Sequence, residues 1–231
     1  MTYDQSALPD VSGLSVGILG GTGPQGRGLA YRFARAGQRV LIGSRSTERG
    51  AQAAEELRGM PHAQPDVVEG GDNAFACQAD VVIVAVPWEG HAETVAELAP
   101  LLVDGKIVVD CVNPLGFDKH GPFALPVAEG SAAEQASTLL PEARVCAAFH
   151  HVSAELLLDE GVSTLDTDVL VLGDDREAAA VVQALAHRIN GVRGVWAGRL
   201  RNAGQVEALT ANLVAINKRY KVHAGVRVTD L

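Results

Sequence analysis

The chain has 231 residues, 47% hydrophobic and only 4% aromatic, which is enough for the core of a large domain and excludes a disordered chain. With 28 acidic against 19 basic residues the net charge is −9, so the surface as a whole repels nucleic acid and anionic membrane. The three cysteines, Cys77, Cys111 and Cys146, are too scattered for a disulfide framework or a zinc site, and a reduced, cytoplasmic setting without metal is expected.

Residues 1 to 13 are polar, with Asp4, Pro9 and Asp10 where a signal peptide would be apolar, and read as a flexible N-terminal extension. No apolar run approaches the ~20 residues of a membrane helix. Leu14 to Gly20 is an apolar run ending in glycines, as a buried parallel strand does. Arg27 to Ala36 reads as a helix closed by Gly37, and Arg39 to Ile42 as a second strand. Ser46-Thr47 can cap a helix running to Arg58, and the stretch from Gly59 to Gly71 is a loop around a short strand at Val67-Val68.

Val81 to Val86 is a continuous aliphatic run stopped by Pro87, the pattern of a central strand. A helix from about Gly90 to Leu102, a strand from Lys106 to Cys111 and a Pro/Gly loop from Asn113 to Gly130 follow. Ser131 to Glu134 is a capping box opening a helix. Arg144 to Ala148 and Val169 to Leu172 are two more strands, and Asp174 is expected to cap a helix reaching about Asn190. From Ala203 to Val222, apolar residues at Val206, Leu209, Leu213, Ile216 and Tyr220 mark one helix face, which packs on its own domain, meets a second copy or covers a substrate. The alternation of strands and helices makes this an α/β protein.

Gly21 to Gly26 is a GxGxxG sequence between a strand and a helix, the context in which glycines let backbone N–H groups approach a pyrophosphate. After the second strand, where an acid would bind a ribose 2′-hydroxyl, the chain has Gly43-Ser44-Arg45, with Arg49 one turn later. Ser44, Arg45 and Arg49 can hold a 2′-phosphate, which favours NADP over NAD, although two arginines at i and i+4 can also simply be solvated. Val86-Pro87-Trp88 and Asn113-Pro114 end neighbouring strands and are expected to border the nicotinamide. His150-His151 cannot both face one metal on an extended chain, and His150 is the candidate donor to a ligand, with a purely structural histidine equally open. There is no nucleophile-and-base signature, which points to direct transfer between two bound molecules.

Taken together, Gly20 to Gly26, Gly43-Ser44-Arg45, Val86 to Glu89, Ser131 to Glu134, Gly173 to Asp175 and Val206 to Asn212 (VEALTAN) resemble the NADPH-dependent coenzyme F420 reductases. The resemblance implies reversible hydride transfer between NADP(H) and coenzyme F420, an 8-hydroxy-5-deazaflavin. It also implies a homodimer with a Rossmann-type, doubly wound, mostly parallel sheet over residues 14–172 and a small α-rich C-terminal domain over 173–231 that serves the deazaflavin site and the dimer contact. NADP contacts carried over from the family fall on Thr22, Gly23, Pro24, Gln25, Ser44, Arg45, Arg49, Val86, Gly90 and Asn113, with Ala154 near the nicotinamide and Val226 at the deazaflavin. Two positions depart from the family pattern: Arg49 stands where lysine is common, and Ser153 replaces a proline. A reductase of another small acceptor and a non-enzymatic NADP-binding module are the rival readings, because fold alone does not fix the substrate.

Overall fold

The computed structural model describes residues 7–231. Its first half alternates strictly: β1 (Ser15–Leu19), α1 (Pro24–Arg35), β2 (Arg39–Ser44), α2 (Thr47–Arg58), β3 (Val68–Asp72), the short α3 (Asn73–Ala76), β4 (Val81–Val84), α4 (His91–Leu98) and β5 (Ile107–Asp110). Then come the pair β6 (Leu115–Asp118) and β7 (Gly121–Ala124), α5 (Ala132–Leu139), β8 (Arg144–Ala147), α6 (Ala154–Leu158), β9 (Thr167–Gly173), α7 (Arg176–His187), β10 (Val192–Gly198) and α8 (Ala203–Tyr220).

Eight strands form one sheet in the order β10-β9-β8-β5-β4-β1-β2-β3, parallel throughout except where β9 runs antiparallel to β8. Side chains alternate across this sheet, so Val16, Ile18, Val81, Ile83, Ile107 and Val109 enter one core while Leu19, Val82, Val84 and Val108 enter the other. Residues of α1, α2, α6 and α7 complete the first core, and those of α4, α5 and α8 the second. This is the doubly wound α/β architecture, whose ligand crevice lies where the strand order reverses, between β1 and β4. No helix among the described residues is long and apolar enough to cross a membrane.

Several expectations need correction. The sheet runs on through β9 and β10, so the domain boundary expected at 172/173 falls inside a single sheet. Strand β10 escapes sequence reading because Arg193, Gly194 and Gly198 interrupt its apolar pattern; a Cβ at Gly194 would lie 2.6 Å from the backbone of Gln183 in α7. The loop expected from Asn113 to Gly130 contains the hairpin β6–β7, disguised by Gly116, Gly121 and Pro122. The cap of α7 is Asp175, which accepts from the Ala178 N–H at 2.8 Å, while Asp174 pairs with Arg199 at 3.5 Å. Of the N-terminal extension, residues 1–6 lie outside the described residues. Residues 7–13 are anchored, with Leu8 and Val11 packed on the core and the Gln38 amide donating to the Val11 carbonyl at 2.8 Å.

One buried cation helps fix the geometry of α1. The Arg32 guanidinium donates to the carbonyls of Leu157 (2.7 Å), Val162 (2.6 Å), Asp159 (3.0 Å) and Leu156, closing the C-terminal end of α6. Helix α6 lies so close to α1 that a Cβ at Gly28 would meet Leu157 Cβ at 2.6 Å.

Candidate functional site

The turn from β1 into α1 builds the first cavity. Gly20 has φ +68°, and its N–H donates to Asn73 Oδ1 at 3.3 Å. A Cβ there would lie 2.9 Å from the Ala85 carbonyl oxygen, and one at Gly26 would lie 2.8 Å from Gly21 Cα. At Gly23, the N-cap of α1, the nearest atom would be 3.4 Å away, so this face of the turn stays open. No side chain caps α1 and no acid lies in its first turn, so the positive end of a 12-residue helix borders a cavity of about 680 Å³.

The same cavity reaches Ser44 at the end of β2 and the exposed Arg45 and Arg49 at the start of α2. Neither arginine makes an ion pair among the described residues. Ser46 caps α2 by accepting from the Arg49 N–H at 3.4 Å, which holds both arginines beside a helix N-terminus. On the opposite wall lie Ala85, Val86, Pro87, Gly90 and Thr94. An open glycine turn at one helix end and two free guanidinium groups at another suit a dinucleotide with an additional phosphate on its ribose.

Gln25 belongs to this cavity and to a second one of about 610 Å³, enclosed by residues 150–155, α8 and the segment after it. Its side-chain amide donates to the Phe149 carbonyl at 3.1 Å, and Phe149 itself is buried with φ +65°. The next carbonyl, of His150, accepts from Asn113 Nδ2 at 2.8 Å and from Thr210 Oγ1 at 3.2 Å. Both ring nitrogens of His150 and Nδ1 of His151 are buried with no hydrogen-bond partner among the described residues. Burial pushes the His150 imidazole down to about 4; burial and the adjacent His150 push His151 down to about 4 as well. Both rings are therefore neutral at pH 7; His151 Nε2 accepts from the Leu170 N–H at 3.5 Å, and both residues stand at the wall of the second cavity. Among the described residues no group of three or more His, Cys, Asp or Glu could hold a metal ion.

Behind these cavities lies a buried polar assembly. His91 Nε2 is 2.7 Å from Asp110 Oδ2, and its Nδ1 is 2.9 Å from Gln135 Oε1, whose Nε2 in turn donates to Glu129 at 3.2 Å. Burial opposes the charged ring, yet the Asp110 carboxylate prevails and raises the His91 pKa. The Glu207 carboxylate accepts from the N–H groups of Ala132 (3.0 Å) and Ala133 (3.2 Å) at the start of α5; burial, opposed by those two bonds, lifts its pKa to about 7.

Of the residues singled out in the sequence, Thr22, Gly23, Pro24, Gln25, Ser44, Arg45, Arg49, Val86 and Gly90 line the first cavity. Asn113, His150 and Ala154 line the second, together with Gln25. Val226 lines neither: its carbonyl accepts from the Asp168 N–H at 2.7 Å and pins the C-terminal tail to β9. Pro87 reaches the first cavity, whereas Trp88 turns back to stack on His91, ring centroids 5.6 Å apart. Asn73, Thr94 and Thr210 are missing from the sequence reading. Asn73 sits in a Gly-Gly-Asp-Asn stretch that resembles a plain loop, and Thr210 lies in a helix read for its apolar stripe and its VEALTAN stretch, with no role given to the hydroxyl.

The family model described as coenzyme F420-dependent NADP oxidoreductase matches residues 15–114. The chain is 39% identical to the F420-dependent NADP reductase of Methanothermobacter thermautotrophicus, over 94% of this chain and 96% of that protein. Its identity to the F420-dependent NADP reductase of Methanocaldococcus jannaschii is 36%, over 94% of this chain and 99% of that one. A crystal structure from Arthrobacter sp. FB24, of a candidate F420-dependent NADP reductase, superposes with a TM-score of 0.75 at 27% identity, covering 94% of this chain and all of that one.

Proposed function

The chain belongs to the family of F420-dependent NADP oxidoreductases, and from that premise we propose how its own residues carry hydride between NADP(H) and coenzyme F420. The observation that carries the proposal is the pair of cavities joined at Gln25, one with a phosphate turn and free arginines, the other with neutral buried histidines. Bound there, NADPH supplies a hydride and the 8-hydroxy-5-deazaflavin ring of F420 accepts it.

Backbone groups of Thr22 to Gly26 and the α1 N-terminus hold the pyrophosphate, while Ser44, Arg45 and Arg49 hold the 2′-phosphate. Charge-assisted bonds of about 1.5–3 kcal/mol each favour NADP over NAD by at least tenfold. Val86, Pro87 and Gly90 border the nicotinamide from the first cavity, and Asn113 and Ala154 meet it from the second, across the junction at Gln25. The chain's task is placement, because direct hydride transfer needs no acid or base and gains chiefly from holding two rings in contact. His150 donates to the polar edge of the acceptor ring and favours the charge that develops there on reduction.

Helix α8 and residues 221–224 close the acceptor side. Ile216, Tyr220 and Val222 are exposed along this end, as is Phe117 in the hairpin; this apolar surface supports a homodimer. A cytoplasmic setting fits the three buried free thiols.

The test is to mix the purified protein with NADPH and oxidised F420 and follow the deazaflavin absorbance. Its loss in step with NADPH oxidation is expected. Oxidation of NADPH only with an imine, flavin or metal chelate, or NADPH binding without turnover, would overturn the assignment of the acceptor.

A further inference from the structure

Glu207 lines neither cavity, is 2% exposed, and lies on α8, whose next turn carries Thr210 on the same face. Its two carboxylate oxygens take one N–H each from Ala132 and Ala133, the first residues of α5. The approach there is close: a Cβ at Gly204 in the first turn of α8 would lie 2.8 Å from the Gly130 carbonyl oxygen. Thr210 then reaches Asn113 Oδ1 at 3.3 Å and the His150 carbonyl at 3.2 Å, at the wall of the second cavity.

Asn113 is held from the other side by the same buried assembly. Asp110 binds His91 through one oxygen and accepts the Val112 N–H through the other at 3.0 Å, one residue before Asn113. The Gln135 amide, oriented by Glu129, presents its oxygen to His91, so both ring nitrogens of His91 face oxygen acceptors. Side-chain hydrogen bonds thus tie α4 to β5 and α5, and α8 to α5, on the two sides of the Asn113–Thr210 contact.

We propose that Glu207 is a positioning residue, whose carboxylate docks α8 on the first turn of α5 and thereby sets Thr210 against Asn113 and His150 at the acceptor cavity. Only the kinetic part of its test rests on the reading of that cavity as the F420 site. Glutamine keeps one acceptor oxygen for the two N–H groups and alanine keeps none, so the order of effects is fixed by the chemistry.

Hydrogen exchange of the full-length protein, read by mass spectrometry, tests the docking without any ligand. In Glu207→Ala, amides of α8 and of residues 149–152 are expected to exchange about tenfold faster while β1, α1 and β2 keep their protection; Glu207→Gln stays within about threefold of the parent. The KM for F420 is expected to rise about tenfold in Glu207→Ala with the KM for NADPH unchanged, and Glu207→Gln to recover most of it. Thr210→Val, which leaves the Glu207 contacts intact, raises the F420 KM without faster exchange in α8, and carries the test if Glu207→Ala does not fold. Unchanged exchange in α8, exchange raised evenly over the whole chain, or equal rises in both KM values would overturn the role of Glu207. If the parent protein leaves F420 unreduced, the functional reading fails and the exchange measurement alone decides the docking.

Discussion

Gln25, in the first turn of the dinucleotide helix, donates its side-chain amide to the carbonyl of Phe149, the residue whose left-handed backbone turns the chain toward His150. This bond ties the phosphate turn to the acceptor wall across 124 positions of sequence. Displacements of about 1 Å between reacting centres cost on the order of a hundredfold in rate. Gln25→Leu is therefore expected to slow hydride transfer in a single turnover by about ten- to a hundredfold while weakening NADPH binding much less. Equal losses in both would contradict the joint.

Arg45 and Arg49 stand exposed beside an open cavity with no acidic partner among the described residues, so removing one charge should be felt by the 2′-phosphate alone. Arg45→Ala is expected to raise the KM for NADPH by about tenfold or more and leave that for NADH nearly unchanged, measured with the same acceptor. A parallel rise in both would remove the arginines from the 2′-phosphate.

Stability should rise with pH across the acid range, for a reason that can be located. The folded state holds His150 and His151 at about 4 against an ordinary 6.5, so between those values the unfolded chain binds more protons. Their contribution is complete above pH 6.5 and is lost as pH falls toward 4. Glu207, lifted from 4.5 to about 7, works the opposite way: its protonated form is the better tolerated, and stability falls as pH rises through that window. Two histidines outweigh one glutamate. Urea midpoints between pH 4 and 7 should climb in the parent, climb less in His150→Gln and climb more steeply in Glu207→Gln. A flat parent profile would contradict the buried neutral histidines.

The packing of α2 on β3 leaves no room at Gly50, where a Cβ would sit 1.9 Å from the Gly71 carbonyl oxygen. Gly50→Ala must push helix and strand apart, and a loss on the order of 1–3 kcal/mol in denaturant unfolding is expected from overpacking alone. A stability equal to the parent's would show that the helix can lift without cost.

The strands β1, β4 and β5 and the phosphate turn were readable because each obeys a local rule: a continuous aliphatic run for a strand buried on both faces, and glycines where backbone must approach backbone. Ser46 and Ser131 were readable as caps for the same reason, since a cap is decided within four residues. What escaped is decided by distant partners. Nothing near Val192 announces that β10 will find β9, nor near Asn73 that its side chain will brace Gly20 from 53 positions away. His150 could be noticed as a candidate, but its neutrality comes from burial that only the assembled sheet and α8 create. The tail position Val226 shows the converse, a residue assigned through the family motif that in the single chain serves to pin the tail to β9.

Direct transfer between two bound rings requires that the hydride never exchange with water. NADPH carrying deuterium at both positions of nicotinamide C4, reacted with oxidised F420 in ordinary water, tests it most directly. The reduced deazaflavin is expected to carry one deuterium, and single-turnover reduction to be slowed by the label. Reduced deazaflavin that carries only solvent hydrogen, or no reduction of F420 while NADPH is bound, would contradict it.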